Sequence, residues 1–237
     1  MDIDLCFTAQ ELNPSSVDGK IVIILDVFRT SATIITALKQ GATKIIPCST
    51  PLEALRLKKE KPIFLLGGEL NSQKVTGFDL GNSPREYTAD FIRGKTIILS
   101  STNGIPALQR VKKAAQTYIG SFLNAPALVQ KLIKDNHDLF LVCVGTQGKY
   151  ALEDTCCAGY FLHLLQNNTK PFWHDRTLSA LALYQHYQKN LPYYLSHSQN
   201  GRNLLAQGYW YDLEYCCTRN SLDTIPQYSH GVIQALN

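Results

Sequence analysis

Four polar segments, each following an apolar run, carry the residues best suited to chemistry. The first is Asp26-Val27-Phe28-Arg29-Thr30-Ser31. A carboxylate just past a buried strand sits where α/β sheets bind ligands, beyond the strand's carboxyl end. Arg29 places a cation beside the next helix, whose start Thr30 and Ser31 can cap while its free amides face an anion. Asp26 is thus a candidate metal ligand or catalytic group in a phosphate cradle; the competing reading is that it only caps the turn. Phosphatases that form an aspartyl phosphate carry a second Asp two residues on as general acid. Here that position is Phe28, which argues against that route.

The second segment, Gly67-Gly68-Glu69, reads as a glycine turn after a strand over Ile63 to Leu66. The glycines allow close backbone approach to a ligand, and Glu69 then faces it. A long aperiodic connection follows, Gly77 to Pro84, in which Asp79, Asn82 and Ser83 offer oxygens suited to a hard cation. In the third segment, Ser100 to Gly104, the groups Thr102, Asn103 and Gly104 stand at a helix start as an oxyanion site. The fourth, Gly145 to Lys149, leads to Glu153 and Asp154. Lys149 is a candidate phosphate holder. Glu153 and Asp154 are either further metal ligands or acidic complements to a helix dipole. The six histidines have no metal-ligand spacing.

These segments need a scaffold that brings strand ends together. Ile21 to Leu25 is a continuous apolar run, as expected of a strand buried on both faces. Ile45-Ile46, Thr96 to Leu99 and Leu139 to Val144 are further strands. Apolar spacing predicts helices over Thr30 to Gln40, Pro51 to Glu60, Pro106 to Ala115, Ala125 to Lys134 and Leu152 to Gln166. Strands alternating with helices predict an α/β fold, mostly parallel sheet flanked by helices. Asp18-Gly19-Lys20 and Arg93-Gly94-Lys95 each precede a strand, a polar loop and a helix. That repeat suggests one compact unit with two similar subdomains, 1–92 and 93–237, and the site in the cleft between them. The tyrosine-rich tail is expected to be helical, with turns at Asn190-Leu191-Pro192 and Asn200-Gly201 and a short extended piece near Tyr209 to Cys217.

Bulk properties narrow the function classes. The chain has 237 residues, 45% apolar and 18% charged, and a formal charge of +4. That charge suits a protein handling small anions and is too dispersed for nucleic acid. No run approaches the roughly 18 apolar residues of a membrane helix. The acidic Met1-Asp2-Ile3-Asp4 start is unlike a signal peptide. Seven cysteines, with adjacent pairs at Cys156-Cys157 and Cys216-Cys217, read as reduced and buried in a cytoplasmic protein.

With the segments laid out, the chain resembles the 2-phosphosulfolactate phosphatase family. The resemblance rests on Asp26 to Ile34, Gly77-Phe78-Asp79-Leu80-Gly81-Asn82-Ser83-Pro84, Thr102-Asn103-Gly104, Gly120 to Asn124 and Leu152-Glu153-Asp154-Thr155-Cys156-Cys157-Ala158-Gly159. Asp212, Cys217 and Ile225-Pro226 complete it, so it covers nearly the whole chain. It implies a magnesium-dependent phosphatase converting 2-phospho-3-sulfolactate to 3-sulfolactate and phosphate, a step of coenzyme M biosynthesis. Two positions depart from the family's usual pattern: Leu70 stands where an arginine is usual, and Ile105 where a threonine is.

The resulting expectation is attack on phosphorus by a magnesium-oriented water, with a phospho-Asp26 intermediate as the open alternative. Asp26, Glu69 and Asp79 are the first choices for metal ligands or water-positioning bases, with Glu153 and Asp154 next. Arg29, Ser31, Thr102, Asn103, Gly104 and Lys149 bind the substrate, with Asp26, Arg29 and Glu69 carrying the catalysis. The partner is a small anionic phosphorylated substrate, with no nucleic acid and no membrane, and self-assembly is left open. A phosphatase of another small phosphorylated acid and a non-catalytic anion-binding relative are the alternatives.

Overall fold

The computed structural model describes residues 1–167 and 173–236. In chain order, β1 (Ile3–Cys6), β2 (Ile21–Leu25), α1 (Thr30–Lys39), β3 (Lys44–Cys48), α2 (Pro51–Glu60), β4 (Leu65–Leu70) and β5 (Gln73–Lys74) make the first third. Next come α3 (Ala89–Ile92), β6 (Thr96–Ser100), α4 (Gly104–Leu108), β7 (Gln116–Gly120), α5 (Ala125–Asp135), β8 (Leu139–Cys143) and α6 (Leu152–Gln166). The last part holds α7 (Asp175–Tyr187), α8 (Leu191–Ser196), α9 (Gln199–Ala206), α10 (Trp210–Cys216), β9 (Pro226–Ser229) and β10 (Val232–Ala235).

All strands join one sheet in the order β1-β8-β2-β7-β9-β10-β3-β6-β4-β5. It is two parallel half-sheets, β1-β8-β2-β7 and β3-β6-β4, joined by the antiparallel β9–β10 hairpin. Every residue of β2 and β8 is buried, which explains their unbroken apolar sequence. One core of the sheet gathers residues of α5, α6 and α7, including Val129, Phe161 and Tyr184. A second gathers Ile34, Leu38, Ile105 and Leu108 from α1 and α4 with Val22, Ile97 and Val142 of the strands. The parallel α/β architecture expected from the alternation is present.

The expected division at residue 92 meets an interleaved sheet. β2 lies between β7 and β8, and β6 lies between β3 and β4. Strands from both sides of that residue therefore share each half-sheet.

Several elements differ from expectation. The strand expected over Ile63 to Leu66 starts two residues later and runs through Glu69 to Leu70, leaving Ile63 83% exposed. Gly67 and Gly68 are thus strand residues, not a turn. A Cβ on Gly68, whose φ is +135°, would overlap the Ser100 carbonyl of the neighbouring β6, so the glycine is what lets the two backbones meet. The helix expected over Pro106 to Ala115 is the short α4 followed by a 3-10 turn, Gln109–Val111. The tail segment Tyr209 to Cys217, expected to be extended, is mostly α10, and the extended piece is the hairpin after it. Asn200-Gly201, expected as a turn, lies inside α9, whose start is capped by the Ser198 hydroxyl accepting from Gly201 N. All seven cysteines are buried and free, as expected. No helix among the described residues is long and apolar enough to cross a membrane.

Candidate active site

The carboxyl ends of β2, β4, β6 and β8 all point toward one cleft of about 290 Å³. Its wall includes Asp26, Arg29 and Thr30 after β2, Glu69, Asn71 and Ser72 at the end of β4, Thr102 and Asn103 after β6, and Thr146 and Gln147 after β8. Both half-sheets therefore contribute, as ligand binding at strand carboxyl ends predicts.

Asp26 is 7% exposed. Its backbone N donates to the Ser31 hydroxyl at 3.0 Å, and Ser31 N donates back to the Asp26 carbonyl at 2.9 Å. This closes the turn that aims the carboxylate into the cleft. Ser31 is thereby a brace of the loop, buried behind it. Gly104 is required by the same close approach, since a Cβ there would overlap Asp26 Oδ2. Burial pushes the Asp26 carboxyl up to about 7. The Thr30 hydroxyl and amide oppose that shift, while the charges of Glu69 and Glu153 add to it.

Glu69 is held from two sides. Its Oε1 accepts from Thr102 N at 2.7 Å, and its Oε2 accepts from Ser72 N at 2.6 Å and from the Thr102 hydroxyl at 3.2 Å. These bonds tie the β4 end to the β6 loop and fix the carboxylate's orientation. Asn103 Oδ1 accepts from Gln147 N at 2.9 Å, which ties the β6 loop to the β8 loop.

Arg29 is buried and locked. Its Nη1 donates to Asp212 Oδ2 at 2.7 Å, its Nη2 donates to the Ser72 carbonyl at 2.9 Å, and its guanidinium lies 4.1 Å from the centre of the Tyr209 ring. Asp212 Oδ1 accepts the Ser83 hydroxyl at 2.8 Å. A guanidinium fixed on three sides presents its remaining donors in one geometry.

Of the other residues picked from sequence, Ser31, Asp79, Ser83, Gly104, Lys149, Glu153 and Asp154 are not part of the cleft wall. Asp79 Oδ2 accepts from Leu66 N at 2.8 Å and sits 3.6 Å from Lys58, on the outer side of β4. Lys149 is exposed, across the turn from Thr146. Asp154 is buried, and its two oxygens accept from Val27 N and Gly145 N, each at 2.9 Å, so it pins the β2 and β8 loops together. Its carboxyl is held well above the usual range, first by burial and then by the charges of Glu153 and Asp26. Glu153 is 1% exposed and raised by burial, and its Oε2 has no hydrogen-bond partner.

Asn82, offered by the sequence as an oxygen donor, lines the cleft, and its Oδ1 is buried and without a partner. Asn200, Asn203 and Gln207, which the sequence reading did not single out, line it from the α9 side. The spacing of Asn200, Asn203 and Gln207, three and seven residues on, is the one signal that places them on a single helical face. Reading Asn200-Gly201 as a turn hid it.

The chemistry of this donor set is that of a polar, acid-rich cleft. Among the described residues lining it, Arg29 is the single cation, and Asp212 already offsets its charge. A phosphate entering beside Asp26 and Glu69 meets repulsion unless a cation intervenes. The charges of Glu69 and Glu153 both reach Asp26, and Glu153 has an orphaned oxygen. Among the described residues no trio of His, Cys, Asp or Glu converges into an all-protein metal cage. The arrangement fits magnesium in its usual manner, through one or two carboxylates with water and phosphate oxygens completing the shell.

Comparison with known proteins agrees with this picture of a phosphate-handling cleft. The family model described as 2-phosphosulpholactate phosphatase matches residues 6–231. A probable 2-phosphosulfolactate phosphatase of Carboxydothermus hydrogenoformans is 42% identical over 228 residues, covering 96% of this chain and 93% of that protein. One from Caldanaerobacter subterraneus subsp. tengcongensis is 36% identical over 229 residues, covering 96% and 95%. One from Clostridium acetobutylicum is 33% identical over 236 residues, covering 98% and 100%. With a match running from β1 into the β9–β10 hairpin and through every segment of the cleft, the chain belongs to the 2-phosphosulpholactate phosphatase family.

Proposed function

We propose that this chain hydrolyses 2-phospho-3-sulfolactate to 3-sulfolactate and inorganic phosphate, with magnesium as its cofactor. The observation that carries the reading is the meeting of Asp26 and Glu69, from the two half-sheets, in one cleft whose single cation among the described residues is already paired. Such a wall repels a naked phosphate ester and accepts one that arrives with a divalent ion.

Asp26 is the residue that would hold the ion, with Glu69 beside it. Bound there, magnesium supplies charge neutralisation at the phosphoryl oxygens and an acidified water. Burial, which raises the Asp26 carboxyl in the metal-free protein, is offset when a dication faces it. Glu69, fixed by Thr102 and Ser72, orients the attacking water and accepts its proton at a carboxylate oxygen. The water oxygen bonds to phosphorus as the bond to the C2 oxygen breaks, and that oxygen takes a proton from solvent water and leaves as the lactate hydroxyl. Arg29 and the Asn103 amide donate to the phosphoryl oxygens as charge spreads over them. Asp154 and Ser31 act only by holding the loops in register. Asp79 and Lys149, off the cleft wall, take no part.

The two departures from the family pattern do not favour a different substrate. Leu70 is 51% exposed and absent from the cleft wall, and Ile105 is 1% exposed within the core beneath α4. The test is phosphate release from 2-phospho-3-sulfolactate set against 2-phospholactate, 3-phosphoglycerate and phosphoenolpyruvate. The reading expects the sulfonated ester to have the highest kcat/KM, and equal rates across the panel would refute the substrate assignment.

A further inference from the structure

We propose that Asn203 of α9 and Gln207, which caps its C-terminus, form a subsite for the sulfonate of the substrate on the α9 side of the cleft. The inference rests on the reaction proposed above and adds where the non-reacting end of the substrate is held.

Asn203 of α9 and Gln207, the C-cap residue that follows it, are four residues apart and both line the cleft. Asn200 lines the cleft too, and its Nδ2 donates to the Phe28 carbonyl at 2.9 Å. That bond anchors α9 to the loop that carries Arg29. The far end of α9 is anchored too, because Tyr209 N donates to the Leu204 carbonyl while the Tyr209 ring supports the Arg29 guanidinium. The helix and the guanidinium are therefore one rigid unit. Asn203 and Gln207 are exposed, and among the described residues neither side-chain amide has a hydrogen-bond partner within the protein.

Charge decides what this wall can take. A sulfonate is ionised at any physiological pH and offers three acceptor oxygens. On the β2 and β4 side it would meet Asp26 and Glu69. On the α9 side it meets the two free amides of Asn203 and Gln207, whose side chains can rotate to present their N–H groups to an anion. The phosphoryl group then lies toward Asp26 with the sulfonate toward α9.

Calorimetric binding to wild type, Asn203→Ala, Gln207→Ala and the double variant would test this. The ligands are 2-phospho-3-sulfolactate and 2-phospholactate, which lacks only the sulfonate, each in magnesium. Both residues are exposed, so the variants are expected to keep the wild-type Tm. Each substitution is expected to weaken binding of the sulfonated ester by about tenfold, the worth of a hydrogen bond to a charged group. The loss for 2-phospholactate is expected to be at least fivefold smaller. Equal losses for both ligands, or no loss for either, would overturn the subsite. Wild type that binds the sulfonated ester without hydrolysing it would refute the proposed reaction while the variants still decide the subsite. Wild type that binds neither ligand would remove both.

Discussion

At the residue scale, the cleft is governed by buried charge. Asp26 is raised to about 7 when no metal faces it, chiefly by burial. A carboxyl raised on folding binds its proton more tightly in the folded state than in the unfolded one. Its contribution is thus present below the unfolded value near 3.8 and is lost as pH rises toward 7. Metal-free protein is expected to lose stability across that window, by at most about 4 kcal/mol from this group. Urea midpoints in chelator at pH 4.5, 6 and 7.5 read the slope directly, and Asp26→Asn should flatten it. An unchanged slope in the variant would assign the titration elsewhere.

The second residue-scale prediction concerns the Arg29–Asp212 pair, both members 3% exposed. Asp212→Ala leaves a buried guanidinium uncompensated and is expected to cost about 3–5 kcal/mol. It also frees Arg29 from its orientation, so kcat/KM should fall by tenfold or more. The double variant Arg29→Met with Asp212→Leu should regain much of the stability in urea denaturation but none of the activity. Recovery of activity in that double variant would show that the pair only holds the fold. Asp26, Arg29, Glu69, Thr102 and Asn103 were legible in sequence because each follows an apolar run, the signal of a strand end. Asp79 and Lys149 were drawn in by their loops' composition, which says nothing about which side of a strand a side chain takes.

At the element scale, glycines set how closely the site's backbones meet. Gly68→Ala would drive a Cβ into the Ser100 carbonyl at a positive φ, and a loss of about 1–3 kcal/mol or more is expected. Gly104→Ala meets Asp26 Oδ2 instead. It should therefore cut kcat at least tenfold through displacement of the carboxylate, with a smaller effect on the urea midpoint than Gly68→Ala. The reverse ranking would contradict the packing described. Sequence misread these glycines, taking Gly67-Gly68 for a turn, because a glycine needed for strand contact and one needed for a turn look alike locally. The tail was misread for a related reason. Gly201 sits inside α9 because a Cβ there would overlap the Leu195 carbonyl, a tertiary requirement with no local mark. Ser198, three residues ahead, caps the helix start, a local signal that the turn reading passed over.

At the scale of the whole molecule, the β9–β10 hairpin closes the gap between two parallel half-sheets. Ile233 of β10, fully buried, pairs with Ile45 of β3, while Thr117 of β7 pairs with Tyr228 of β9. Ile233→Ala is expected to cost about 2–5 kcal/mol, measured by urea denaturation, and to weaken the join on which a shared cleft depends. The alternation of apolar runs with helical patterns made the α/β class readable. The joining hairpin was not readable, since Pro226–Ser229 and Val232–Ala235 are short and only partly buried. β7 was missed likewise, its glutamine, threonine and glycine diluting the apolar signal of a strand that is central to the sheet.

The central claim is that Asp26 and a divalent ion together carry out phosphate release in this cleft. Its most direct measurement is the rate of inorganic phosphate release from 2-phospho-3-sulfolactate, for wild type and Asp26→Asn, in chelator and after magnesium is restored. The account predicts turnover by wild type that disappears in chelator and returns with magnesium, and a loss of at least about 100-fold in Asp26→Asn under every condition. Wild-type turnover that persists in chelator, or Asp26→Asn that keeps the wild-type rate, would contradict it.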